Sequence, residues 1–316
     1  METETQMKYA KLRQLQSLSL ESKIILAKQR IREFSAKMDG NVCVSFSGGA
    51  DSTVLLHIAR QVIPDVKAVF VNTGLEFPEI VRFVRSVENV DIVKPKMSFK
   101  QVLTNYGYPV ISKEVSKEIQ EIRTAKSEKL LKIRVEGAGP GKMGKLPDKW
   151  HFLLDAPFKI SDRCCYMLKK QPLYAYHKSR GLFPIVGVMA DESRSRVLSY
   201  LRYGCNAFNL KTPQSRPLMV WTKQDVLQYI KRFNVPYCRA VYGDLIPGDL
   251  FNDGECLKFS KAQRTGCTFC MFGSHLENPN KFQMMHKENP KMWKYCIEYL
   301  GLGPVLEYCH IPYKGE

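Results

Sequence analysis

The sequence predicts an α/β protein, an open and mostly parallel sheet with flanking helices and further helical segments at both ends. Three observations predict it. Val42-Cys43-Val44-Ser45-Phe46 reads as a short buried strand that breaks into a Gly-rich turn and then a helix. Strand and helix patterns alternate through residues 52–93 with short loops, which argues for βαβ units. A later apolar run, Ile185-Val186-Gly187-Val188-Met189, supplies another strand.

Taken in order, residues 17–38 carry Leu20, Ile24, Ala27, Ile31 and Phe34 on one helical face. Ser19 is the N-cap, Glu21 lies in the first turn, and Asp39-Gly40-Asn41 ends the helix. This helix either covers the sheet or serves as a partner helix. Strand 42–46 leads to a helix over 52–62, and Pro64-Asp65 turns into strand Val66–Val71. Asn72-Thr73-Gly74 is the next turn, Pro78 opens a helix over 79–87, and Asp91-Ile92-Val93 is a third strand. Residues 112–136 read as one charged helix. Gly137-Ala138-Gly139-Pro140-Gly141-Lys142-Met143-Gly144-Lys145 is a mobile basic loop by composition: a linker, a lid or a nucleic-acid contact. Trp221–Ile230 is a helix whose Thr222 and Asp225 are spaced close to a capping box. The expected division is a helical segment 1–40, an α/β nucleotide-binding domain 41–240, and a mostly helical region 241–316.

At 44% hydrophobic and 25% charged, the 316 residues have an ordinary globular composition. No apolar run approaches the roughly 18 residues of a membrane helix. The acidic start, Met1-Glu2-Thr3-Glu4-Thr5, is followed by no apolar stretch. The expectation is a cytoplasmic protein without a membrane partner. Ten cysteines in that setting point to metal or catalytic chemistry rather than a disulfide framework. The net charge of +17 implies a polyanionic partner, an anionic substrate, or both. Residues 158–216 hold 11 basic and 3 acidic side chains, net +8, about half of that excess. A solvated basic face is one reading; the neighbouring motifs favour anion binding.

The chemistry centres on Ser45-Phe46-Ser47-Gly48-Gly49-Ala50-Asp51-Ser52-Thr53. Gly48 and Gly49 remove the Cβ atoms that would hold a ligand off the backbone, and Ser47, Ser52 and Thr53 add hydroxyls. The helix that follows aims its free N–H groups and positive end at the turn, a site for phosphate or pyrophosphate. It is not a Walker A loop, because no Gly-Lys-Ser/Thr closes it. Ser47-Gly48-Gly49-Ala50-Asp51-Ser52 resembles the pyrophosphate loop of the N-type ATP pyrophosphatases, specifically of the phosphoadenosine phosphosulfate (PAPS) reductase family. That resemblance implies the adenine nucleotide alpha hydrolase-like fold. Asn72-Thr73-Gly74-Leu75-Glu76-Phe77-Pro78-Glu79 is similar to the family's Thr-Gly-x-x-Phe-Pro-Glu segment, which implies that Asn72, Thr73 and Gly74 line the nucleotide pocket. Glu192-Ser193-x-x-Arg196 resembles its third motif, whose arginine and glutamate reach phosphates or sulfonate; Arg194 and Arg196 suit an oxyanion clamp. The Trp221-Thr222 helix before Pro236-Tyr237 also resembles the family.

Cys164-Cys165 and the distant Cys267-x-x-Cys270 could hold zinc or an iron–sulfur cluster, or remain free thiols. Cys164-Cys165-x-x-x-Lys169-x-x-Pro172-Leu173 resembles the cluster-bearing adenylyl sulfate reductases, which implies a 4Fe–4S cluster on these four cysteines. Cys43, Cys205, Cys238, Cys256 and Cys296 read as buried or incidental, although Cys256 lies near enough to the pair to be a spare thiol. The reductases carry a nucleophilic cysteine in a Glu-Cys-Gly-x-His tail; this chain reads Glu307-Tyr308-Cys309-His310-Ile311, without the glycine and with altered spacing. Cys309 is the candidate nucleophile. The resemblance implies one of two activities. One is an ATP pyrophosphatase that adenylylates an acceptor for sulfur transfer, with Mg²⁺ on the phosphates and Asp51, Arg194 and Arg196 in catalysis. Its partners would be DNA or RNA and a cysteine desulfurase. The other is a reductase of adenylyl sulfate or PAPS that uses thioredoxin. A nucleic-acid-binding module with a degenerate nucleotide site is a third, non-enzymatic reading.

Overall fold

The strand expected at 42–46 is Val42–Ser45, β1, and its alternating side chains part to two faces of a sheet. Val42 and Val44 enter one core while Cys43 faces the other side with Val69 and Tyr176. The computed structural model describes residues 4–139, 141–248, 256–263 and 265–315. These fall into two compact units that interleave along the chain. The first holds residues up to Asn72, Glu76–Lys94 and Leu173–Thr265; the second holds Thr73–Leu75, Pro95–Pro172 and the chain from Gly266 on.

The first unit opens with helices α1, Glu4–Gln16, and α2, Leu20–Lys37. Ser19 caps α2, its hydroxyl accepting from the Ser22 N–H. The apolar stripe of α2 is buried at Ile24, Ala27, Ile31 and Phe34, in the same core as β1, so the helix covers the sheet. After β1 come α3 (Ala50–Arg60), β2 (Lys67–Val71), α4 (Pro78–Arg85, with proline in its first turn) and β3 (Val90–Val93). The sheet continues with β4 (Phe183–Val186), β5 (Asn206–Ala207) and β6 (Gln214–Ser215), in the order β3-β2-β1-β4-β6-β5. All pairings are parallel except β5 with β6. The chain therefore winds outward from β1 through β2 to β3, then restarts on the other side of β1 with β4. That reversal is where open α/β sheets leave a crevice at the carboxyl ends of their strands. β4 stops at Val186 rather than running on to Met189. Gly187 passes α3 so closely that a Cβ there would stand 3.2 Å from the Asp51 carbonyl oxygen.

The capping box on Thr222 and Asp225 is complete and opens helix Lys223–Phe233. Beyond it a short helix, Arg239–Tyr242, precedes a hairpin. Leu245–Pro247, β7, pairs antiparallel with Leu257–Phe259, β8, whose Leu257 and Phe259 alternate inward about Lys258. Helices Lys281–Glu288 and Leu302–Tyr308 form the expected helical tail within the second unit.

The second unit also contains α5 (Phe99–Tyr106), α6 (Lys113–Thr124) and α7 (Glu128–Glu136). The single helix expected over 112–136 is thus two. In one helix, Arg134 would lie about 20 Å along the axis from Glu121. Instead α7 folds back, and Arg134 Nε meets Glu121 Oε2 at 2.6 Å. Arg123 anchors the end of α6 by donating to the carbonyls of Leu153, Leu154, Ala156 and Phe158. The basic loop after α7 closes on itself through a bridge between Ala138 and Met143; Pro140 lies outside the described residues. No helix among the described residues is long and apolar enough to cross a membrane.

Candidate functional site

The turn after β1 is built from its own hydroxyls. Ser52 Oγ accepts from the Ser47 N–H at 3.1 Å, lies 2.9 Å from Ser47 Oγ, and donates to the Gly49 carbonyl at 2.9 Å. Thr53 Oγ1 donates to the same carbonyl. Gly48 has φ +72, and a Cβ there would stand 2.8 Å from Ile80 and 2.9 Å from Val84 of α4, so only glycine fits. Gly49 is the N-cap of α3 and offers no side chain to cap it. The start of that helix is left to backbone donors and whatever anion meets them. The Ala50 N–H donates to the Tyr242 hydroxyl at 3.1 Å, and that hydroxyl is 3.0 Å from Thr265 Oγ1.

A hollow opens over this turn. Ser47, Gly49, Asp51 and Ser52 line it from the loop, Gly187, Glu192 and Arg196 from the chain after β4, and Lys223, Tyr242, Gln263 and Thr265 from the remaining side. It sits at the β1–β4 reversal. Two helix starts reach it: Asp51 in the first turn of α3, and Lys223 at the first position of its own helix. Its charges come in pairs. Lys223 Nζ is 3.1 Å from Asp51 Oδ1, each side chain about one-third exposed, and Arg196 pairs with Glu192. Glu192 is itself held by the Met189 N–H at 2.8 Å. Such pairs keep two cations at the mouth of the hollow without leaving them bare. An entering polyanion can compete for both cations, and a divalent cation can take Asp51.

Of the residues singled out in the sequence, the loop, Glu192 and Arg196 come together here. Ser45 ends β1, Phe46 and Ala50 are buried beneath the loop, and Thr53 lies inside α3. Ser193 and Arg194 are exposed and outside the lining. Asn72 closes β2, its N–H donating to the Val93 carbonyl at 2.8 Å. Thr73 and Gly74 belong to the second unit, where the Thr73 hydroxyl accepts from the Leu75 N–H. Lys223 had a sequence signal only in the Thr222 cap that sets it on a first helical turn. Tyr242, Gln263 and Thr265 had none, because nothing local says which loops fold over β1.

In the second unit, Cys164, Cys165, Cys267 and Cys270 line one hollow with Leu75, Phe99, Pro109, Leu168, Lys169 and Phe272. Both the N–H and the hydroxyl of Thr268 donate to the Leu75 carbonyl at 2.8 Å, fixing the Cys267–Cys270 turn. Burial pushes the Cys164 thiol far up, and Cys165, Cys267 and Cys270 push it further. Cys270 is also raised, chiefly by burial. Such a set becomes thiolates only when a metal's charge compensates. Among the described residues no three His, Cys, Asp or Glu side chains converge tightly enough to hold one metal ion. Zinc draws four sulfurs to about 2.3 Å from one centre, whereas a 4Fe–4S cluster takes one thiolate at each corner and suits a more widely spaced set. Four cysteines on one apolar-walled hollow are the soft donor set that zinc or an iron–sulfur cluster would take.

Cys309 lacks the surroundings of a nucleophile. It caps the last helix inside the apolar core of the second unit, 4% exposed, and burial pushes its thiol to about 12. Among the described residues no charged neighbour lowers it. His310 is turned outward, its ring 5.6 Å from Phe152.

The family model for the phosphoadenosine phosphosulfate reductase domain matches residues 41–135 and 111–270. An adenosine 5'-phosphosulfate reductase of Staphylococcus epidermidis is 25% identical over 199 residues, 63% of this chain and 64% of that protein. A phosphoadenosine 5'-phosphosulfate reductase of Photobacterium profundum is 23% identical over 230 residues, 73% of this chain and 74% of the relative. An uncharacterised Methanocaldococcus jannaschii protein is 33% identical over 95 residues, but the match spans only 28% of this chain and 23% of that protein. Among solved structures, a PAPS reductase from Candida auris aligns with TM-score 0.37 at 18% identity, covering 71% of this chain and 91% of its own.

Proposed function

The chain belongs to the phosphoadenosine phosphosulfate reductase domain family, and on that premise we propose that it is an ATP pyrophosphatase that adenylylates an acceptor for sulfur transfer. The observation that carries this reading is the complete Ser47-Gly48-Gly49-Ala50-Asp51-Ser52 loop at an uncapped helix start, faced by Lys223 and Arg196. ATP lays its β- and γ-phosphates on the loop, where free backbone N–H groups and the Ser47 hydroxyl donate to them while Ser52 holds the turn. Asp51 would hold Mg²⁺, which would supply charge neutralisation at the phosphates, and Lys223, released from Asp51, meets a phosphate. An acceptor oxygen attacks the α-phosphorus and pyrophosphate leaves. Lys223 and Arg196 stabilise the charge that grows on the leaving group, the role in which preorganised cations count most. The outer sulfur of a persulfide donor then bonds to the acceptor carbon as its C–O bond breaks and AMP leaves, and a second donor thiol cleaves the remaining S–S bond to give the thiolated acceptor and a disulfide.

The four cysteines of the second unit would hold a 4Fe–4S cluster, which when bound supplies a Lewis-acidic and redox-active centre. The chain's own part is to exclude water with Leu75, Phe99, Leu168 and Phe272 and to set Lys169 beside the thiolates.

The runner-up is a sulfonucleotide reductase, favoured by the names of the relatives. It needs a reactive cysteine in the tail, and the burial of Cys309 weighs against one. One experiment separates the two. Anaerobically purified protein is given ATP and Mg²⁺, and separately adenylyl sulfate or PAPS with reduced thioredoxin. AMP and pyrophosphate from ATP, lost in Asp51→Ala and kept in Cys309→Ser, are expected. Sulfite from a sulfonucleotide, lost in Cys309→Ser, would overturn the proposal.

A further inference from the structure

The second unit carries an aromatic feature that the reading above does not use. Four rings run from open surface to the cysteine-lined hollow. Tyr299 and Tyr295 stack with centroids 5.0 Å apart and planes 26° apart. Tyr295 meets Phe269 at 6.1 Å, and Phe269 stacks on Phe99 at 6.3 Å and 25°. Phe269 lies between Cys267 and Cys270, and Phe99 lines the hollow itself. The inner two rings are buried, whereas Tyr295 is 46% and Tyr299 58% exposed. Lys100 Nζ stands over the Tyr299 ring, 3.6 Å from its centroid. Lys291 and Lys294 are exposed on the same helical segment as the tyrosines. Lys294 pairs with Glu298 at 3.9 Å, exposed at both ends and therefore weakly.

We propose that Tyr295, Tyr299 and Lys100 form a stacking platform for single-stranded nucleic acid, which delivers an unpaired base to the rim of the cysteine hollow. The proposal rests on the function above and names the class of its acceptor. The tyrosines cover one face of each other, so the face open to a flat partner is the outer face of Tyr299, where Lys100 now stands. A nucleobase covers such a face whatever its sequence, and aromatic faces interleaved with lysines are how sequence-tolerant single-strand binders work. Lys100 is a placeholder in this arrangement. A base that takes its position over Tyr299 frees the ammonium to meet a backbone phosphate. The excess of +17 on the chain agrees with a polyanionic partner. An acidic protein would match the lysines but would leave the tyrosine stack unused.

The test uses the full chain and a labelled single-stranded RNA of about 12 nucleotides, with the matching DNA and duplex as comparison arms, read by fluorescence anisotropy. Single strands are expected to bind more tightly than the duplex. The double variant Tyr295→Ala, Tyr299→Ala is expected to weaken binding roughly tenfold or more, while Tyr295→Phe, Tyr299→Phe keeps it. Lys100→Ala is expected to weaken binding and flatten its salt dependence. Equal affinity of the alanine variant, or equal competition by polyglutamate, would overturn the platform. ATP turnover is measured on the same samples. Turnover without single-strand binding sinks this inference alone; tyrosine-dependent binding without any ATP turnover sustains it and sinks the ATP reading.

Discussion

At the scale of single residues, one backbone position and one buried acid make the sharpest statements. Gly48 combines a positive φ with walls of Ile80 and Val84 on the side where a Cβ would point. Gly48→Ala is therefore expected to cost about 1–3 kcal/mol in strain and to abolish nucleotide binding. Chemical denaturation and ATP titration of the variant check both. Glu118 lies in α6, 3% exposed, with Oε2 unpartnered. Burial is the chief cause that raises it to about 7, with Glu114 adding and Arg134 opposing. Since the folded protein binds this proton more tightly than the unfolded chain does, no penalty exists below about 4.5, the ordinary value. As pH rises from there to about 7, stability falls; above 7 the loss is complete and constant. Glu118→Gln is expected to flatten that fall, seen as a smaller drop in denaturation midpoint between pH 5 and 8 than in the wild type. Cys309 belongs here too. Its sequence neighbours Glu307 and His310 suggest activation, but the burial and charge around a thiol decide whether it reacts.

At the scale of elements, the helix that carries Lys223 is held by an ion pair remote from the hollow. Lys23 of α2 meets Asp225 at 2.7 Å, the lysine side chain 3% exposed and the carboxylate 10%. The same Asp225 oxygen accepts from the Thr222 N–H at 2.6 Å, so one carboxylate both caps the helix and neutralises a buried ammonium. Asp225→Ala strands that ammonium and is expected to cost about 3–5 kcal/mol. Lys23→Met leaves the carboxylate its helix-cap bonds and is expected to cost less. Urea unfolding of both variants, read by circular dichroism, checks the order. If the lysine variant proves the worse, the ion pair rather than the cap holds the helix.

At the scale of the whole molecule, the question is what the cysteine hollow holds. Anaerobic protein is expected to carry about four irons per chain, with the absorbance and Mössbauer signature of a 4Fe–4S cluster. Serine at any one of Cys164, Cys165, Cys267 or Cys270 should lose most of that iron. One tightly bound zinc per chain, with no iron, would refute the cluster. The Cys309→Ser chain should keep its iron, because that thiol lies in the core rather than on the hollow.

The sequence by itself determined the local matters: a strand, turn and helix around Ser47–Thr53, the capped helices at Ser19 and Thr222, and the α/β class. Each rests on neighbours a few positions apart, whose periodicity and turn chemistry are written in order along the chain. Tertiary structure alone decided which distant residues complete the site. Lys223, Tyr242, Gln263 and Thr265 reach the loop because the sheet reverses at β1 and the later chain folds over it. The break in residues 112–136 was equally hidden, since no glycine or proline marks it and the contacts that accompany it, Arg134 with Glu121 and Arg123 with the carbonyls of residues 153–158, join residues far apart along the chain. Cys309 was misleading for the same reason: reactivity depends on solvent and charge around a sulfur, and those are set by contacts far apart in sequence.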